Sequence, residues 1–153
     1  MRINTKFPVA VHILTTAAFC RERPATSELI AKSVNTNPVV IRRLVAMLKQ
    51  AGLVEVRSGV GGVSLRLPPE EITLLAVYNA VRTPGKEDLF DLHQEPNEAC
   101  PIGANIHEAL SEPLLFAQRE MERGLERRTL YDVMKTVAES SGLPLGEKNG
   151  EME

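Results

Sequence analysis

Apolar and polar positions change period along the chain, and each change marks an element. From Phe7 to Cys20 apolar and small residues dominate, with Val9, Ile13, Ala17 and Cys20 at helical spacing, which predicts a core helix with Cys20 as a buried small hydrophobe. Residues 21–24 form a polar stop. Thr26 or Ser27 can cap a second helix to about Ser33, with Glu28 favourably placed in its first turn. Asn35-Thr36-Asn37-Pro38 is the sharpest punctuation: Asn37 offers an acceptor to the open amides of a helix start, and Pro38 fits the first helical position, where its missing N–H costs nothing. A third helix then runs to about Ala51 on the stripe Val40, Ile41, Leu44, Val45 and Leu48, closed by Gly52. Arg42, Arg43 and Lys49 are left outside.

After Gly52 the period drops to two. Residues 53–57 and 63–67 alternate as strands do, and residues 58–62, with three glycines in five, make a turn with little side-chain bulk. Pro68-Pro69 closes this hairpin, and residues 70–82 read as a fourth helix packing back through Ile72, Leu75, Ala76 and Val81. Residues 83–100 lack sustained periodicity and read as a loop or sensor region pinned by Leu89 and Phe90. A long helix is expected from about Pro101 to Arg127, with Ile102, Ile106, Leu110, Leu114, Ala117, Met121 and Leu125 on one face and Pro113 expected to bend or split it. Its ~26 residues would span ~39 Å, more than the front domain needs for its own core. Such a helix usually finds a partner. Thr129 can cap a last helix to about Glu139, and residues 140–153 read as a flexible tail.

The fold class is therefore mainly α with a small β-hairpin wing: a winged helix-turn-helix in residues 1–82, and further helices in residues 101–139. Composition agrees. With 43% apolar and 25% charged residues the chain can fold, and with 4% aromatics and no Trp its core must be aliphatic. No apolar run approaches the ~20 residues needed to cross a bilayer, so the expected location is cytoplasmic, with no membrane partner. The net charge of -2 hides a division: residues 1–67 carry ten Lys/Arg against three Asp/Glu, a net of +7, and the remainder carries a net of -9. A cationic front half suits a polyanionic partner.

Three short helices followed at once by a glycine-tipped hairpin can lay the third helix in a major groove while the tip reaches along the backbone. The candidate contacts to double-stranded operator DNA are Arg2, Lys6, Thr36, Asn37, Val39, Arg42, Arg43, Arg57, Ser58 and Gly61. Asn37 can cap its helix or touch a base edge; Arg42 and Arg43 can bind phosphate, read guanine or solvate a helix face. Arg2 and Lys6 can hold phosphate or stand in solvent.

MRINTKFPVAVHIL, SVNTNPVVIRRLVAMLKQAGLV and VRSGVGGVSL together resemble the Rrf-two family of bacterial winged-helix regulators, the group containing IscR, NsrR and CymR, with NPVVIRR and the last stretch nearest to the YwnA branch. The resemblance covers about residues 1–138. It implies a homodimer through the long helix, with residues 101–139 as dimerisation helices and Ile102, Ile106, Leu110, Leu114, Met121 and Leu125 as interface, operator binding by the third helix and wing, and often repression. Several family members hold an iron–sulfur cluster on three cysteines after the fourth helix. Here that region has Cys100 alone, so no cluster and no other cofactor is expected. His93, Cys100 and His107 are too scattered to be read as a metal site.

Cys100 sits before Pro101 at a helix start, where the helix field favours thiolate and hence a redox or electrophile signal, while Asp91, Glu95 and Glu98 oppose it. An idle thiol and an unknown small-molecule signal both stay open. Two functions from other classes are weighed beside a regulator. An enzyme lacks support because the three His are isolated and the Gly-rich segment is a hairpin tip, not a phosphate loop. A winged helix that binds only protein needs no cationic excess.

Overall fold

The computed structural model describes residues 5–83 and 90–145. In chain order these form α1 (Lys6–Phe19), α2 (Ser27–Val34), α3 (Pro38–Gln50), β1 (Val54–Val56), β2 (Val63–Leu65), a single 3-10 turn (Pro69–Glu71), α4 (Leu74–Val81), α5 (Pro101–Glu126) and α6 (Leu130–Ser141). Ile13 and Leu14 of α1, Ile30 of α2 and Ile41 and Leu48 of α3 are fully buried, and Val54, Ile72, Val77, Val81, Leu130 and Met134 complete the same aliphatic core. α6 is thus part of the front domain, not only an appendage.

The helix starts follow from their caps. Thr26 Oγ1 accepts from the Leu29 amide at 3.2 Å, and Thr73 Oγ1 from the Ala76 amide at 3.1 Å. Thr129 and Asp132 form a reciprocal capping box at the start of α6, which ends at Gly142 in a left-handed conformation, φ 75°.

The fourth helix differs from its expected span of 70–82. Residues 69–71 make only the 3-10 turn, and Ile72 and Thr73 are extended because they pair with the strand-like stretch around Thr129: the Leu130 amide donates to the Ile72 carbonyl at 2.8 Å and the Leu74 amide to the Arg128 carbonyl at 2.9 Å. Thr73 then caps a shorter α4. Val77 takes the buried position expected of Leu75 and Ala76, which are half-buried.

Other expectations are corrected as well. Val40 is 39% exposed, because it lies 100° around the helix from Ile41 and off the buried stripe. Cys20 is half-buried. Of the two outcomes open at Pro113, a bend or a split, the split does not occur: α5 runs unbroken from Pro101 to Glu126. The missing N–H of Pro113 forfeits the bond to the Ala109 carbonyl, but both residues are exposed and water can satisfy that carbonyl. Phe90 is 36% exposed and does not pin its loop, while Leu89 lies outside the described residues. Among the described residues no helix is long and apolar enough to cross a membrane.

The wing is a short antiparallel pair, Val54↔Leu65, Glu55↔Ser64 and Val56↔Val63. Buried Val54 and Val63 anchor it to the core, and the Val63 amide also donates to the Ala25 carbonyl at 3.0 Å, so the α1–α2 connection clasps the hairpin as a third edge.

Candidate nucleic-acid interface

The turn between α2 and α3 sets how the third helix is presented. Asn35 adopts φ 61°, a left-handed conformation that asparagine tolerates, which ends α2 while the Thr36 amide reaches back to the Ala31 carbonyl at 3.0 Å. Asn37 is extended, its Oδ1 accepts from the Val39 amide at 2.9 Å, and Pro38 opens α3. Residues 35–37 alone separate the helices, the short turn of a helix-turn-helix. Of the roles open to Asn37, capping is the one the free chain makes. Thr36 is half-buried in the turn.

On the first two turns of α3, Val39, Arg42 and Arg43 stand three and four residues apart and share one exposed face, opposite buried Ile41, Leu44 and Val45. Val39 is 53% exposed. Arg42 Nη1 lies 3.3 Å from Glu28 Oε1 of α2, an exposed pair worth at most about 1 kcal/mol. Arg43 has no ion-pair partner among the described residues.

In the wing, Gly59 and Gly61 take φ 86° and 68°, and the tip closes as the Arg57 amide donates to the Gly62 carbonyl at 3.0 Å and the Gly61 amide to the Arg57 carbonyl at 3.1 Å. Arg57, Ser58 and Gly61 are all exposed there. Gly61 is therefore first a conformational necessity. Lys6 begins α1 and is half-buried, and Arg2 lies outside the described residues.

Two exposed apolar residues were not among the candidates: Val40 on α3 and Val60 at the wing tip, 57% exposed. The glycines on both sides of Val60 were the available signal, since nothing beside it can cover it. Arg66 is occupied with Glu55 across the hairpin at 3.4 Å.

At the other end, Cys100 is the residue before the first turn of α5. The backbone amides of Gly103 and then Ile102 hold its thiol below the ordinary thiol range. His107 Nε2 lies 2.8 Å from the His93 carbonyl, and the two rings meet edge to face at 5.1 Å. On α5, Ile106, Leu110, Leu114, Met121 and Leu125 are half-buried within the single chain, whereas Ile102 is 73%, Phe116 59% and Leu115 48% exposed. No residue of this 26-residue helix is buried.

The model of the Rrf2 family, described as iron-dependent transcriptional regulators, matches residues 3–136. The chain belongs to the Rrf2 family. It is similar to the HTH-type transcriptional regulator YwnA of Bacillus subtilis strain 168, with 46% identity over 132 residues that cover 86% of this chain and 96% of that protein. It is also similar to a crystal structure described as a DNA-binding protein, with 41% identity, coverage of 84% and 98% of the two chains and a TM-score of 0.68. A transcriptional regulator from Lactobacillus plantarum has 26% identity, coverage of 88% and 91% and a TM-score of 0.74. This Rrf2 protein is thus a transcriptional regulator, not an enzyme, and its winged helix is that of DNA-binding relatives.

The Rrf2 family's description names iron, and an iron–sulfur cluster would need several thiolate donors. Cys20 and Cys100 are this chain's two cysteines, on different elements, and no three His, Cys, Asp or Glu among the described residues come together as a metal site. That donor set does not fit a cluster held by three cysteines.

Proposed function

We propose that this Rrf2 regulator is a cytoplasmic homodimer that binds an operator and represses transcription without an iron–sulfur cluster. The observation that carries the reading is the exposed face of α3: directly after an Asn–Pro helix start, Val39, Arg42 and Arg43 project from the first two turns, and a glycine wing bearing Arg57 follows. This lies in the cationic half of the chain, where phosphate contacts orient the protein and the first turns of α3 read base edges. Residues 1–82 supply the DNA-binding unit, with Thr36, Asn37, Ser58 and Gly61 at its edges, Lys6 at the start of α1 and Arg2 before that helix in the sequence. Residues 101–139 supply the dimer.

The exposed apolar side chains of α5 support a second copy as partner, since a helix of this length with no buried residue leaves Ile102, Leu115 and Phe116 in water. Two copies present two third helices, and an inverted repeat is the matching operator. In a mobility-shift experiment the chain should retard DNA from upstream of its own gene and not a shuffled duplex of equal length. Equal retardation of both would contradict operator reading, and no retardation of either would favour a winged helix that binds protein.

A further inference from the structure

Between α1, α2 and α6 lies an open cavity of about 440 Å³ that plays no part in the reading of DNA or in the exposed face of α5. Its walls are mainly apolar, with Val11 and Phe19 of α1 and Val133 and Val137 of α6, and among the described residues no Lys, Arg, Asp or Glu lines it. Its volume lies within the ~300–1,000 Å³ of small-molecule sites. At one side His12 Nε2 and Ser33 Oγ meet at 2.8 Å. The lining threonines are already committed, Thr15 to the Val11 carbonyl at 2.7 Å and Thr16 to the His12 carbonyl at 2.9 Å. The threonine hydroxyls have thus spent their donors and can only accept, so the His12–Ser33 pair is the polar group that keeps both a donor and an acceptor to orient a ligand.

We propose that this cavity binds a neutral, largely apolar small molecule carrying one hydroxyl or carbonyl, held against His12 and Ser33. Absence of charged walls disfavours an ionic ligand, which would lose its hydration with no counter-charge in return. Ser33 lies near the end of α2, two residues before the left-handed Asn35 that turns the chain into α3. A ligand that competes for the His12–Ser33 bond thus acts on the support of the reading helix. This regulatory step rests on the proposed operator binding; the binding site itself does not.

Cys20 also lines the cavity and is half-buried, which makes it a built-in reporter. In the full chain carrying Cys100→Ser, Cys20 is the remaining thiol. Its alkylation by N-ethylmaleimide is followed with para-butylphenol as the probe. At about four times the dissociation constant of the phenol, alkylation should slow about fivefold. The anion para-butylbenzoate should leave it unchanged, and Val137→Trp, which fills the cavity, should abolish the protection by phenol. Val133→Phe serves as the second filling variant if Val137→Trp melts more than about 4 °C below the parent. Unprotected Cys20, equal protection by the benzoate, or protection that survives filling would overturn the site. With the site established, the phenol should change operator affinity by about fivefold. Protection of Cys20 with unchanged affinity for a bound operator would overturn the effector role. Failure to bind any operator is a failure of the DNA reading, and leaves the Cys20 result intact.

Discussion

Asn37 shows how one residue can be legible and still incompletely described by its sequence. An Asn–Pro pair ahead of an apolar stripe identifies a helix start, and the cap to the Val39 amide follows. Asn37→Ala should cost about 1 kcal/mol of stability, measured by urea unfolding; an unchanged midpoint would contradict the cap. The Arg42–Glu28 pair was not legible in this way, because it joins two helices across fourteen residues of sequence and depends on their packing angle. Cys100 lies between these cases. Its place before Pro101 suggested a stabilised thiolate, but only the structure sets the Gly103 and Ile102 amides against the nearby acids. Because those amides lower its pKa, the thiolate should form at lower pH than that of an ordinary thiol. In a Cys20→Ala variant, the pH profile of iodoacetamide labelling should show its inflection below that of N-acetylcysteine, and an inflection at or above it would contradict the assignment.

At the level of elements, period and punctuation together located the three front helices and the hairpin, since each has a buried face and clear stop signals. They failed at residues 70–73, where the chain looks helical by composition and is extended because Thr129 pairs with Thr73. A contact with a partner more than fifty positions away leaves no local trace. The wing holds a similar constraint. Gly62 reads as one more flexible glycine, yet a Cβ there would lie 2.7 Å from Pro24 Cβ, so the hairpin docks on the α1–α2 connection only without a side chain. Gly62→Ala should destabilise the chain by about 1–3 kcal/mol through this overlap, read as a lower urea midpoint. Gly59→Ala should act differently, through its positive φ alone, since nothing lies near its Cβ. If Gly62→Ala were neutral, the wing would not be seated as described.

For the whole molecule, the length and apolar face of α5 were legible, and so was its surplus over the needs of one core. Which side chains remain open was not, because a wide apolar arc does not say which part its own chain covers. Ile106, Leu110 and Leu114 are half-buried, whereas Phe116, off the expected line, is more exposed than any of them. Phe116→Glu should leave the single chain folded and place a carboxylate in the proposed dimer seam. An uncompensated charge of this kind costs about 3 kcal/mol, roughly a hundredfold in dimer affinity. Sedimentation should give twice the 16.8 kDa chain mass for the parent and the single mass for the variant at micromolar concentration. A parent that sediments as a monomer would remove the proposed role of α5.

DNA binding through α3 and the wing is the central claim. The decisive measurement is the salt dependence of affinity for the inverted repeat upstream of the gene, with the parent compared to an Arg43→Ala, Arg57→Ala double variant by fluorescence anisotropy. The parent should bind that repeat more tightly than shuffled DNA and weaken steeply as salt rises. The variant should bind more weakly, with a log–log slope shallower by about one for each phosphate it no longer neutralises. Parent and variant curves that coincide, or a parent that does not distinguish the repeat from shuffled DNA, would contradict it.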